Sequence, residues 1–321
     1  MTGYICMALF RADRLLLRQQ LKSIRFQTLT EWRCVIGIDG EDTDLRRFVR
    51  MQTSGDPRFE IVGFAAHVGF YRNFERVLAE VPSTAEWVAL ADQDDKWWPE
   101  KLEMLVPHLG QAALVVGAAR LVDRLGESVA GGVTARTPVD LFGLLIDNRV
   151  TGSLAVLRPA VLDRALPFPE PTDASYHDHW LAVCAQIDGG INYVGAVVQD
   201  YVQHEANVLG EQVGARIVAR TRHLRSRVGG LMPTAIGSYL ARQRWGWRVV
   251  MARTAIDRQP SLAVEDHMVL AAVARGNISV QIIERMVRAV FFRTAPLGRT
   301  VALMVGALFW PMSERAGYRG K

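Results

Sequence analysis

Short apolar segments alternate with helical patterns over the first hundred residues, and this alternation constrains the fold more than any other feature. Four apolar segments are typical of buried strands: Tyr4–Leu9, Trp32–Ile38, Phe59–Phe64 and Glu86–Ala91. The connections are typical of helices: the first has apolar residues at helical spacing with Asp13 as a candidate N-cap, the second is polar over about residues 44–52, and the third runs through Val77 and Leu78. Strands joined by helices through short connections pair in parallel and are covered on both faces. The sequence therefore predicts an α/β fold with a mostly parallel sheet.

The fourth apolar segment leads directly into the carboxylates of Asp92, Asp94 and Asp95. In extended backbone, residues two apart point to the same side, so Asp92 and Asp94 can converge on one ligand while Asp95 turns away. Pro99 favours the start of the next helix. We therefore place the cluster in a loop between strand and helix, at the sheet edge where open α/β folds bind ligands. Two carboxylates leave coordination positions open for phosphate, which suits Mg²⁺ or Mn²⁺.

Four residues elsewhere are candidates for the rest of a transfer site, and three of them also have an ordinary structural interpretation. Asp178, at a predicted helix start between two histidines, can take a proton from an attacking hydroxyl. His204 follows a predicted strand and can contact metal or diphosphate, although a single histidine is more often structural. Asp39 can bind a base or ribose, but an Asp-Gly pair is usually a turn. Arg72 can pair with phosphate, or it is a solvated surface charge.

The cysteines and the first apolar segment both bear on the cellular compartment of the protein. The three cysteines, Cys6, Cys34 and Cys184, lie far apart without metal-type spacing, so we expect reduced core thiols in a cytosolic protein. The first apolar run, Tyr4 to Phe10, is too short for a secretory signal or a membrane span. These features predict a cytoplasmic protein.

Charge is distributed unevenly along the 321 residues, whose net charge is +5. Residues 211–321 contain 18 Lys and Arg against 6 Asp and Glu, whereas residues 1–210 contain 20 against 27. The pattern also changes to Arg-rich helices near residue 211. We therefore predict a catalytic domain over residues 1–210 and a basic, mostly helical region over 211–321. A basic region with apolar helices suits an anionic surface, either a membrane or nucleic acid.

The segment Thr300–Trp310 is uncharged over eleven residues, too few for a membrane span of about 20. Arginines precede it, a pattern found in helices that lie in a membrane interface. The alternative is a helix packed on the protein core. For nucleic acid, the only suitable mixture of aromatic and cationic residues is Arg244–Arg248, so we expect no nucleic-acid partner. Glycine-rich nucleotide motifs, the HExxH zinc motif and the GxSxG serine motif are absent, which disfavours dinucleotide oxidoreductases, P-loop proteins and hydrolases.

Taken in order, several short motifs resemble the inverting family 2 glycosyltransferases of GT-A fold, specifically their bacterial rhamnosyltransferase-like branch. The resemblance covers about residues 3–210. Any one of the motifs is weak alone, but their common order is specific. They are Asp39-Gly40, Gly69 with Arg72-Asn73, Asp92-Gln93-Asp94-Asp95 with Trp97, Thr151-Gly152, His177-Asp178-His179-Trp180, and Tyr201-Val202-Gln203-His204 with Asn207 and Gly210.

The resemblance implies a Rossmann-like GT-A sheet and a role for each matching residue. Asp178 would be the general base, and Asp94 would bind the metal, with His204 near the metal and diphosphate. The nucleotide-sugar donor would be bound by Phe10, Asp39, Arg72, Asp92 and Gln93.

Two departures from the family pattern concern the donor. Only one aspartate stands at Ile38-Asp39-Gly40, and the usual Thr-x-Asn after the first strand is replaced around Phe10-Arg11. A third departure, Tyr201-Val202-Gln203-His204, lacks one cation expected near the diphosphate.

The leading hypothesis is a metal-dependent glycosyltransferase that uses Mg²⁺ or Mn²⁺. It would move a sugar, rhamnose by family likeness, from a nucleotide diphosphate to a surface-glycan or lipid-linked acceptor. The basic C-terminal region would contact an anionic membrane on its cytoplasmic face. The competing hypothesis is a non-catalytic GT-A-like or polyanion-binding protein that uses the basic C-terminal region.

Overall fold

The computed structural model describes residues 2–134, 136–172, 175–203, 233–259 and 262–315. The described residues fall into two compact units. The first unit draws on Met1–Pro138, Arg149–Phe168 and His177–Val208, and the second on Val139–Asn148, Pro169–Tyr176 and Leu209–Lys321. The boundary that we predicted at residue 210 lies outside the described residues and stays a prediction.

The first unit begins with the predicted β-α alternation. Strands β1 to β4 are joined by three helices and pair in parallel in the order β3-β2-β1-β4. Asp13 caps the first helix by accepting from the backbone N–H groups of Leu15 and Leu16, as its position predicts. The bounds are β1 Gly3–Leu9, α1 Arg14–Arg25, β2 Trp32–Asp39, α2 Thr43–Thr53, β3 Phe59–Phe64, α3 Gly69–Ala79 and β4 Val88–Ala91.

Beyond β4 the sheet continues with antiparallel and parallel pairs in the order β4-β8-β6-β9-β5, and β7 pairs with β6. The predicted α/β fold is confirmed. The strands are β5 Lys96–Trp97, β6 Leu114–Val122, β7 Ser128–Val133, β8 Ala155–Leu157 and β9 Ile191–Val202, and the helices of this unit are α4 Lys101–Leu105, α6 Ala160–Ala165 and α7 His177–Asp188, with 3₁₀ turns at Val106–Gly110 and Gly152–Leu154.

Three details differ from the sequence prediction. The short strands β5 and β7 were not predicted, because two to six residues with charges or glycines carry little periodic signal. The apolar patterns of residues 191–198 and 200–203 predict two separate strands, but one strand, β9, spans Ile191–Val202, and in it Gln199 is fully buried although it is polar. The helix expected from Pro99 begins at Lys101.

The second unit is helical. It contains α5 Leu141–Ile146 together with α8 Pro233–Leu240, a π-helical turn at Ala241–Trp245, α9 Gly246–Arg258, α10 Val264–Ala274, α11 Val280–Phe291 and α12 Leu297–Arg315. The helical C-terminal region that we predicted is confirmed.

The cluster Arg244–Arg248 belongs to the interior of this helical unit. Trp245 and Trp247 are fully buried, and the guanidinium of Arg248 donates to the backbone oxygens of Leu145 and Ile146. Neither indole is therefore available to stack on a nucleic-acid base.

The uncharged segment Thr300–Trp310 lies within α12. Leu303, Ala307 and Trp310 are buried, whereas Val301 and Leu308 are exposed. One side of the helix thus packs inside the unit and the other faces outward. No helix in the described ranges has the length and apolar character needed to cross a bilayer.

Candidate active site

The carboxyl ends of β1 and β4 meet through two residues that the sequence predicted for donor binding. The amide of Gln93 pairs with the backbone of Phe10: the Phe10 N–H donates to Oε1 at 3.0 Å, and Nε2 donates to the Phe10 oxygen at 3.2 Å. This side chain therefore fixes the backbone after β1 against the loop after β4.

An aromatic surface forms beside this junction. The exposed ring of Phe10 stacks on the imidazole of His67, with centroids 4.4 Å apart and planes 17° apart. His67 was not a candidate in the sequence, since it lies more than fifty positions from Phe10 in a segment without a motif of its own. Two stacked, accessible rings can receive a planar base.

Asp39 holds the loop that carries His67. Its carboxylate accepts from the backbone N–H groups of Val68 at 2.8 Å and Gly69 at 2.9 Å, and lies 2.7 Å from Nδ1 of His67. Gly69 has a φ of +82°, a conformation that favours glycine. Asp39 therefore orients the aromatic surface through His67, and its own contact with a nucleotide stays a prediction.

Arg72 has partners inside the first unit. Its Nη1 donates to Glu75 at 2.7 Å and to the backbone oxygen of Phe168 at 3.1 Å. The neighbouring Asn73 is buried, and its amide donates to the Gly37 oxygen at 3.1 Å, which ties α3 to β2. Arg72 thus stabilises the local structure through Glu75 and Phe168. Its binding of a phosphate stays a prediction.

The carboxylates of the acidic loop have different environments. Asp95 is buried and accepts from Nε2 of Gln199 at 2.8 Å, so it turns into the interior as the strand geometry predicts. Burial, followed by the charges of Asp94 and Asp92, raises the pKa of Asp95 well above its usual range. For Asp92, burial and then the charges of Asp94 and Asp178 raise the pKa to about 7.

Asp178 is thereby brought into electrostatic range of the acidic loop, although it is more than eighty positions away in sequence. It lies in the first turn of α7, where a negative charge is favoured by the helix dipole. Its carboxylate accepts from the N–H of His179 at 2.7 Å and of Gly152 at 3.3 Å. The charges of Asp94 and Asp178 therefore both act on Asp92, and these three predicted site residues are called the acidic cluster.

The turn at Gly152–Leu154 requires glycine at its first position. A Cβ on Gly152 would lie 2.9 Å from Nε2 of His177 and 3.3 Å from Cβ of Asp178. The Thr151-Gly152 motif therefore has a steric explanation: the backbone must approach α7 closely enough for its N–H to reach the carboxylate.

His177 is a neutral, stacked ring next to Asp178. Its imidazole lies 3.8 Å from the ring of Phe74 at 14° between planes, and burial lowers its pKa to about 3. Neither ring nitrogen has a hydrogen-bond partner among the described residues. His177 therefore adds no charge to the acidic cluster near neutral pH.

A buried lysine, which the sequence did not single out, joins the turn at Gly152–Leu154 to the acidic loop. Lys101 is fully buried, and its ammonium donates to the backbone oxygen of Ser153 and to Oε1 of Gln199 at 2.7 Å. Gln199 in turn donates to Asp95 and to the Ser153 hydroxyl. Burial lowers the pKa of Lys101, and the charges of Asp95 and Asp92 oppose that shift.

The donor set at the acidic loop suits a divalent cation that keeps ligand positions for water and phosphate. Within the described ranges, no group of three or more His, Cys, Asp or Glu side chains is arranged to hold a metal. Asp94 and Asp92 offer carboxylate oxygens, and the repulsion among the acids would be relieved by a cation. His204 lies outside the described residues, so its predicted contact is untested.

A separate cavity of about 550 Å³ opens between α1, β5 and the β6–β7 hairpin. Its wall includes the ion pair between Arg120 and Asp200, whose atoms approach to 2.8 Å. None of the predicted site residues lines it. The acidic cluster and the aromatic surface therefore define the candidate site independently of this cavity.

The glycosyl transferase family 2 model matches residues 4–143, which include β1 to β4, the aromatic surface and the acidic loop. Over this stretch the chain is similar to family 2 glycosyltransferases. The stretch ends before Asp178, whose position relative to it comes from the structure. None of the curated proteins compared matches the chain.

Solved glycosyltransferase structures share the fold over nearly the whole chain. Residues 1–349 of S. aureus TarS in complex with UDP-GlcNAc are 13% identical, with a TM-score of 0.56 over 98% of this chain and 91% of that chain. The mannosyltransferase PcManGT from Pyrobaculum calidifontis, in complex with GDP-Man and Mn²⁺, is 16% identical, with a TM-score of 0.51 over 100% and 88%. At these identities the likeness shows the fold, which is that of GT-A glycosyltransferases.

Proposed function

We propose that this protein is an inverting, metal-dependent glycosyltransferase that uses a nucleotide-diphosphate sugar. The observation that carries the proposal is that Asp178 lies within electrostatic range of Asp92 in the acidic loop, where Asp94 also acts on Asp92. The family 2 match and the related structures, whose ligands are UDP-GlcNAc in one case and GDP-Man with Mn²⁺ in the other, support the donor class.

In the proposed reaction, Asp178 accepts the proton of the acceptor hydroxyl as its oxygen attacks the anomeric carbon. A single displacement on the face opposite the leaving group inverts that carbon. Asp94, with Asp92, would hold Mg²⁺ or Mn²⁺, which when bound neutralises the charge that develops on the leaving diphosphate. Phe10 and His67 stack on the base of the donor, and Gln93 keeps Phe10 in place.

For substrates, we propose rhamnose as the sugar to test first, on the motif resemblance, and a surface-glycan or lipid-linked hydroxyl as the acceptor. The test is nucleotide release from UDP-, GDP- and dTDP-sugars with and without Mg²⁺ or Mn²⁺. Release from one donor class that stops on chelation is expected. No release and no binding of any nucleotide sugar would favour the non-catalytic alternative.

Asp94→Ala is expected to remove the effect of metal on donor binding. A bound cation contributes several kcal/mol to stabilising diphosphate charge, so Mn²⁺ should tighten nucleotide-diphosphate binding by the wild type at least about 10-fold. Calorimetry with and without Mn²⁺ measures this difference. Asp44→Ala, which changes a highly exposed aspartate of α2, is the control and should keep the full metal effect. An unchanged metal effect in Asp94→Ala would exclude Asp94 as a ligand.

Phe10→Ala is expected to weaken donor binding about 5- to 150-fold, because stacking of an aromatic ring on a base contributes about 1–3 kcal/mol. The matched control is Phe26→Ala, since Phe26 is exposed on the surface near the end of α1. Titration with the free nucleotide diphosphate isolates the base and diphosphate from the sugar. Equal affinities for the two variants would show that the base binds elsewhere.

A further inference from the structure

The helices α11 and α12 carry an outward apolar surface. Val280 and Phe291 are 80% and 78% exposed, and Ile283 and Val287 lie between them at helical spacing on the same side of α11. The opposite side of α11 is also apolar, but Ile282, Met286 and Ala289 are buried there. The apolar face of α11 is therefore wider than the part that the protein interior covers, and exposed apolar patches of this kind often mark interaction surfaces.

Two aromatic rings stand at the turn between these helices. Phe291 and Phe292, the latter 69% exposed, are in edge-to-face contact at 5.2 Å. Arg293 follows with a φ of 56°, and the hydroxyl and N–H of Thr294 both donate to the Ala289 oxygen. Leu297, at the start of α12, is exposed as well. The turn thus exposes a compact group of large apolar side chains to solvent.

Most charged side chains around this apolar surface are cations. Residues 285–313 contain four arginines and no Asp or Glu. Arg288 is highly exposed and forms an i,i+4 pair with Glu284 at 3.6 Å, while Arg299 pairs with Asp147. Arg293, beside the two phenylalanines, is exposed and forms no ion pair with the described residues. Apolar side chains bordered by arginines complement an interface in which acyl chains lie below anionic headgroups.

We infer that the exposed apolar surface, comprising Val280, Ile283, Val287, Phe291, Phe292 and Leu297, inserts into the interface of an anionic membrane. The basic character of residues 211–321 supports a bilayer over a second copy of this chain, because a two-fold contact would bring like-charged arginines together. If the proposed function holds, this insertion keeps the protein at the membrane surface, where a lipid-linked acceptor diffuses.

Vesicle flotation of the full-length protein tests the inference without any need for transferase activity. The wild type is expected to float with vesicles of phosphatidylcholine and phosphatidylglycerol, and about 10-fold less with phosphatidylcholine alone. Replacing both rings, Phe291→Ser with Phe292→Ser, should reduce binding to the mixed vesicles at least about 10-fold, because it removes the largest inserted area. The control is Leu125→Ser, which changes an exposed leucine in the β6–β7 turn and should float like the wild type.

A second variant tests the charge contribution without altering the rings. Arg288→Gln with Arg293→Gln should lower binding to anionic vesicles by about 5-fold per arginine, and leave binding to neutral vesicles unchanged. Circular dichroism and sedimentation are measured for every variant. The inference is overturned if the folded double phenylalanine variant floats like the wild type. It is also overturned if the wild type does not float but is a dimer that this variant converts to a monomer. Donor binding, measured separately, reports on the proposed function alone.

Discussion

Asp178→Asn is expected to lower the rate of sugar transfer about 10²- to 10⁴-fold, the contribution of a positioned general base. Donor affinity should stay within about threefold of the wild-type value, because the contacts proposed for the donor lie at Phe10, His67 and the acidic loop. Asparagine retains one oxygen to accept from Gly152 or His179, so the helix start can form. Single-turnover transfer rates and calorimetric donor affinities measure the two effects separately.

The control for this variant is Asp163→Asn on α6, which removes an exposed carboxylate and should leave both quantities unchanged. Transfer by Asp178→Asn at the wild-type rate would exclude Asp178 as the base. If the variant lost both donor binding and transfer, Asp178 would be assigned a role in binding the donor instead.

Lys101→Met is expected to lower the free energy of unfolding by about 3–5 kcal/mol, the usual cost of removing one partner from a buried charged network. Methionine keeps most of the length of the side chain, so lost packing is a minor part of the effect. Without the ammonium, the Ser153 oxygen and the Gln199 amide oxygen lose a donor, and Asp95 and Asp92 lose a cation whose charge lowers their pKa values. Urea denaturation measures the change.

Lys96→Met, at an exposed position on β5, is the matched control and should change stability by less than about 0.5 kcal/mol. Adding Asp95→Asn to Lys101→Met should recover part of the loss, since the buried acid then needs no counter-charge. A loss below about 1 kcal/mol for Lys101→Met alone would show that the network tolerates an uncharged side chain.

Sequence patterns predicted the parallel part of the sheet because its strands are long apolar runs between helices. They also located the acidic loop, since carboxylates directly after a buried strand have few structural explanations. Lys101 escaped notice because it occupies a helical pattern in which a lysine is usually exposed. Gln199 lies within an apolar strand, and its inward direction follows from the pairing of β5 with β9, which no local pattern reveals.

The convergence of Asp178 on the acidic loop was expected from family resemblance, not from the residues themselves. Its physical basis is long-range: the turn at Gly152–Leu154 contacts α7 through one backbone N–H and the Lys101 network through Ser153. Contacts between residues 26 and 52 positions apart have no signature in local periodicity. The aromatic pair of Phe10 and His67 escaped prediction for the same reason.

The turn at Gly152–Leu154 also limits which parts of this protein can be redesigned independently. Its contact with Asp178, the proposed base, is a backbone N–H, so the position of that carboxylate depends on main-chain geometry and on a close approach that favours glycine at Gly152. A change of donor preference has accessible positions at Phe10 and His67, which border solvent. Transfer of this region to another protein requires the turn, α4 and the first turn of α7 together, because Gly152 contacts Asp178 and Ser153 contacts Lys101.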